Sequence, residues 1–98
     1  MNERITGKNC VVRTYSAGVH IGRVEEINEQ NQKCCYLTNA YRLWSWSDGG
    51  LSLSAIARKG VKSARINRTD EIMLTEAIEY IPINDKAFAT LDDHLEDE

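Results

Sequence analysis

AYRLWSWSDGGLSLSAIARKG, residues Ala40 to Gly60, holds both tryptophans and the only adjacent glycines of the chain. Its apolar period changes partway along. Ala40, Arg42, Trp44 and Trp46 fall on one face of an extended strand, with Tyr41, Leu43, Ser45 and Ser47 on the other. Asp48-Gly49-Gly50 breaks that strand. Leu53, Ile56 and Ala57 then recur at helical spacing, with Asp48 or Ser52 as a first-turn cap and Gly60 as the stop. A helix this short persists only by docking on something else.

Working outward toward the N-terminus, Lys33 to Thr38, KCCYLT, reads as a strand, joined to the tryptophan strand by a tight connection at Asn39. NEQNQ at 28–32 is a polar turn. Asn9 to Tyr15 and Val19 to Ile27 read as a hairpin, with Gly18 free to take positive φ at its tip. Gly22 signals a bulge or the close approach of another backbone. Toward the C-terminus, 61–70 reads as a basic connector with room for a short strand. EIMLTEAIEYIPI, 71–83, fits either period, and its Ile, Thr and Tyr favour a strand that Pro82 ends. Asn84 caps a last helical turn or two, with Phe88 and Leu91 facing inward. The expected fold is mainly β within the α+β class. It is a small antiparallel sheet or barrel of about five strands, with one short helix between the fourth and fifth. Residues 1–91 form one domain, and 92–98 an acidic, disordered tail.

Ninety-eight residues leave no room for a second core. No apolar run approaches the ~20 residues of a membrane span, and MNERITGKN is not a signal peptide, so a cytoplasmic protein with no membrane partner is expected. Cys10, Cys34 and Cys35 are odd in number and have no metal-ligand spacing with His20 or His94. Reduced, buried thiols are expected, with no metal and no cofactor. The net charge is −3, but 91–98 carries five acids and no Lys or Arg, leaving 12 basic and 10 acidic groups before it. Within 58–68, Arg58, Lys59, Lys62, Arg65 and Arg68 stand without an acid. The cluster reads as a solvated loop face or as an anion-binding one. A duplex binder is ordinarily net basic, so a small phosphate-bearing ligand fits better.

Three features carry binding chemistry. Aromatic side chains two apart on a strand ordinarily pack in a core or interface, which is the expectation for Trp44. Trp46, at the strand's exit, is the ring expected to stack a planar ligand, and Arg42 beside it supplies a phosphate-matching fork. At the hairpin tip, Arg13, Tyr15, Ser16 and His20 bring a cation, a ring, a hydroxyl and a titratable donor around a glycine; turn structure alone is the competing reading. Ser52 at the helix start and Lys59 at its end complete the ligand-binding set. No nucleophile, base and acid stand at a recognisable catalytic spacing, so no enzyme is expected.

VVRTYSAGVHIGRVEE, the Trp-x-Trp segment with LSLSAIARKGV, and EIMLTEAIEYIPI together resemble a family of small proteins encoded by tailed bacteriophages, over roughly residues 10–83. The resemblance implies origin more than activity. Small phage proteins of this size include ones that sequester nucleotide second messengers of bacterial immunity, usually as oligomers. Size and residue chemistry make this an analogy. The leading expectation is therefore a homo-oligomeric protein that sequesters a cyclic or adenine-containing nucleotide in the host cytoplasm. The alternatives are a protein–protein inhibitor or adaptor of a host defence protein, and a small single-stranded nucleic-acid binder.

Overall fold

The computed structural model describes residues 4–46, 53–60 and 64–95 of the chain, with Trp46 described in its backbone alone. Five strands form one antiparallel sheet: β1 (Asn9–Thr14), β2 (Val19–Ile27), β3 (Cys35–Trp46), β4 (Ala64–Leu74) and β5 (Ala77–Pro82). The order across the sheet is β4-β3-β2-β1-β5. Helix α1 (Leu53–Lys59) joins β3 to β4, and α2 (Asp85–Ala89) with a 3-10 turn over Leu91–His94 follows β5.

The mainly β, antiparallel class stands, with three corrections to its parts. The helix lies between β3 and β4, not between the fourth and fifth strands. The two strands expected at 33–38 and 40–46 are one. Asn39 takes φ +48 and is an extra residue in the β3–β4 ladder, between Thr38↔Glu71 and Ala40↔Asp70. Asparagine tolerates the left-handed region, so the strand absorbs a bulge there instead of turning. Conversely, the single strand expected at 71–83 is two, parted by Thr75 and Glu76, and the expected connector supplies the start of β4 at Ala64. A second helix, α2, joins α1.

The bulge matters because it inverts which side chains face inward. Before it, Leu37 packs with Cys10, Val12, Val24, Cys35, Ala40, Leu74 and Ala77 on one face of the sheet. After it, Tyr41 and Leu43 pack with Val11, Ile21, Ile56, Ile66 and Leu91 on the face that the helices cover. A one-residue insertion in a period-2 element does this to every later side chain.

The sheet must also curl. In a flat sheet β4 and β5 would stand four strand spacings apart, roughly 19 Å. Three residue steps from Leu74 to Ala77 reach about 11 Å at most. The edges therefore approach at that end, around the cluster to which both residues belong. At Gly22 strand β3 passes too close for a side chain: an added Cβ would meet the Ala40 Cβ at 2.9 Å and the Thr38 carbonyl oxygen at 3.0 Å.

The C-terminal segment is pinned as far as Leu95. Asp92 accepts a 2.7 Å bond from the Tyr41 hydroxyl and a 3.3 Å bond from Arg68 Nη1, and Leu95 bridges to Ile66 on β4. The remainder of the expected acidic tail lies outside the described residues.

Candidate functional site: the β1–β2 hairpin tip

The tip is a closed turn. Thr14 binds the Gly18 carbonyl through both its amide, at 3.1 Å, and its hydroxyl, at 2.7 Å, while the Ala17 amide donates to Thr14 Oγ1 at 2.9 Å. Gly18 takes φ +86, a conformation that L side chains rarely adopt. The β4–β5 link holds the tip from outside. The Ser16 hydroxyl donates to the Glu76 carboxylate at 2.8 Å, and the Tyr15 amide to the Glu76 carbonyl at 3.0 Å.

Two clefts flank this tip, and Ser16 and Gly18 line both. One, of about 380 Å³, runs along Arg13, Thr14, Tyr15, Val19 and Leu53 at the start of α1. The other, of about 390 Å³, lies along Ala17, Arg42, Leu43 and Trp44. Both fall within the size range of small-molecule sites. A larger hollow of about 500 Å³ at the far end is bordered by Glu25, Glu26 and Glu29, a poor match for a phosphate.

The wall of the second cleft is a cation–ring pair. The Arg42 guanidinium carbon sits 5.5 Å from the centroid of the Trp44 ring, and the Trp44 indole N–H donates to the Asn67 side-chain oxygen on β4. Trp44 is nonetheless 57% exposed, so of the two places expected for it, core or interface, it does not take the first within this chain. The register explains it. Val12, His20, Arg42 and Asn67 form one cross-strand row, and Trp44, two residues beyond Arg42, is the residue skipped where the β3–β4 register shifts between Leu43 and Ser45.

His20 stands directly behind this wall. It is fully buried, and its Nε2 lies 2.9 Å from the Ala17 carbonyl oxygen. The carbonyl can only accept, so Nε2 carries the proton and Nδ1 is left as an acceptor. Burial lowers its pKa below 6.5; the Ala17 bond opposes that shift and neighbouring Arg42 reinforces it, so the ring is neutral near pH 7. Nδ1 and Arg42 Nε are both buried and have no hydrogen-bond partner among the described residues.

Of the eight expected ligand-binding residues, the tip thus gathers five. Arg13, Tyr15 and Ser16 line the clefts, Arg42 joins from β3, and His20 lies behind them. Tyr15 is 82% exposed, and Arg13 faces Glu79 at 3.7 Å, so this side of the tip carries acids as well as a cation. Lys59 ends α1, about 10 Å along the helix from the Leu53 that meets the first cleft. Ser52 and the Trp46 side chain lie outside the described residues. The basic cluster is split: Lys62 is not described, and Arg68 is committed to Asp70, Asp92, Asn39 and the Tyr41 ring. Sequence reasoning missed Trp44 and Asn67 as wall residues. The signal was present in the shared face of Arg42 and Trp44.

The three thiols are free cysteines; burial pushes Cys10 up to about 11 and raises Cys35, both against thiolate chemistry. Among the described residues, no group of three His, Cys, Asp or Glu is placed to hold a metal, and no helix is long and apolar enough to cross a membrane.

A curled five-strand antiparallel sheet with two short helices and a pair of clefts at one hairpin tip defines a small β-rich domain. Residues 7–91 match the model of a domain of unknown function, DUF6948, and the chain belongs to that family. Comparison with curated proteins and with solved structures returned no match.

Proposed function

We propose that the protein binds a small phosphate-bearing aromatic ligand of the nucleotide class in the clefts at the β1–β2 tip, and holds it without chemistry. The single observation that carries this reading is the Trp44–Arg42 wall: a largely exposed indole, anchored by Asn67, beside a guanidinium at the rim of a 390 Å³ cleft. The exposed ring offers a face to a base, worth about 1–3 kcal/mol. The Arg42 fork offers parallel N–H groups to a phosphate. Glu76 and Glu79 border the Arg13 side, so the phosphate belongs on the Arg42 side.

The resemblance to small tailed-phage proteins extends the reading to sequestration of a cyclic nucleotide immune signal in the host cytoplasm. Both clefts are open to solvent, and a second copy closing over them, as in a homo-oligomer, would bury more of the ligand. A thermal-shift screen against cyclic di- and trinucleotides and cyclic ADP-ribose isomers tests this. A ligand at 100 times its Kd stabilises by about 2.7 kcal/mol, several degrees for a domain of this size. No shift with any of them at millimolar concentration removes the reading.

A second reading, a contact with a host protein, is favoured by Met73 and Ile78, exposed on the edge strands β4 and β5. Met73→Glu would abolish such a contact and leave nucleotide binding intact.

A further inference from the structure

We infer that His20 Nδ1 and Arg42 Nε together read the hydrogen-bonding edge of the ligand's base, an edge that presents an N–H beside an acceptor atom. This deepens the nucleotide reading and rests on it.

The inference starts from two of the three buried polar atoms that nothing among the described residues satisfies; the third is Thr69 Oγ1. Such atoms are few in folded proteins, and each needs a reason. These two are not scattered: His20 and Arg42 are direct partners in the β2–β3 ladder. Cross-strand partners of an antiparallel pair hold their Cβ atoms roughly 4.5–5.5 Å apart on one face. Arg42 is itself a wall residue of the cleft, and Ala17, which fixes the His20 tautomer, is another. The imidazole is thus held from one side by the cleft's rim and paired on the other with its wall.

The two atoms have opposite character. With Nε2–H committed to Ala17, Nδ1 accepts, and the neutral ring keeps that lone pair near pH 7. Arg42 Nε–H can only donate. A complementary partner offers one donor and one acceptor side by side. The amidine edge of adenine has this pattern, N6–H beside N1, whereas the lactam edge of hypoxanthine carries donor and acceptor in the reverse order. A purine ring without the exocyclic amine has acceptors alone. Both atoms lie beneath the cleft surface, so the base edge reaches them as side chains of the rim, Trp44 and Ser16, shift while the Ala17–His20 bond stays made.

The test is calorimetry with three probes: adenosine 5′-monophosphate, inosine 5′-monophosphate and purine riboside 5′-monophosphate. The inference expects the first to bind and the other two, one with donor and acceptor reversed and one without the donor, to bind about tenfold more weakly or worse, the scale of one hydrogen bond. Arg42→Lys, which keeps the charge but removes Nε, weakens the adenosine and purine riboside monophosphates alike, and His20→Leu abolishes the difference between them; circular dichroism confirms that each variant is folded. If the three bind equally well, the pair is satisfied by a direct His20–Arg42 bond or a bridging water, and the inference fails while the nucleotide reading stands. If neither these probes nor the cyclic nucleotides bind, the nucleotide reading fails and takes the inference with it.

Discussion

His20 is the residue whose chemistry the fold constrains most. A lone histidine at a turn is ordinarily solvated; here the curl of the sheet buries it completely, with Val12 on one side and Arg42 on the other. Its folded pKa lies below 6.5, the unfolded value. The unfolded chain therefore takes up a proton before the native one does. The resulting stabilisation is fully present above pH 6.5 and is lost as pH falls toward and through the folded value. Urea midpoints should decline between pH 7 and 5.5, above the range where carboxylates titrate. His20→Gln should flatten that decline; an unchanged slope would mean that the ring is not the source. The sequence supplied His20 as a candidate, but not its burial. That depends on Val12 and Arg42 arriving from strands eight and 22 residues away, which no local pattern encodes.

At the level of elements, Asn84 does two jobs. Its side-chain oxygen accepts from the Ala87 amide at 2.8 Å, capping α2, and its amide donates to the Arg58 carbonyl at 2.6 Å, satisfying the last turn of α1. Neither helix exceeds seven residues, so both depend on docking, and one residue ties them together. Asn84→Ala should cost about 1–2 kcal/mol, the upper part of the range for a lost N-cap, read as a lower urea midpoint with an unchanged slope. A loss below about 0.5 kcal/mol would show that the helices are held by Ile56 and Leu91 alone.

The cap was legible because Asn followed by a helical apolar pattern is a local signal. The class of fold was legible for the same reason: the β-branched and aromatic content of β1, and the turn residues that bound β1 and β2, are local signals. The strand boundaries were not. Asn39 carries a turn residue's signature, and only pairing with β4 on one side and β2 on the other keeps the strand running through it. Thr75-Glu76 shows the reverse. It lacks Gly, Pro, Asn and Asp, so local chemistry gave no warning of the corner between β4 and β5.

For the molecule as a whole, that unmarked corner shapes the candidate site. It brings β4 and β5 together, curls the sheet, and places Glu76 against Ser16, which fixes the tip between its two clefts. Trp44 projects from the register shift between Leu43 and Ser45. Core packing is the usual fate of such a ring, and here it stands at a cleft with a guanidinium and an asparagine holding it. The account rests on that ring being kept outward for a ligand. The direct measurement is calorimetric titration of the wild-type protein and of Trp44→Ala with the cyclic nucleotide that gives the largest thermal shift. The account predicts micromolar or tighter binding to the wild type, weakened about tenfold or more in Trp44→Ala, the scale of one lost stacking contact. Equal affinity for the two proteins, or no heat with either, would contradict it.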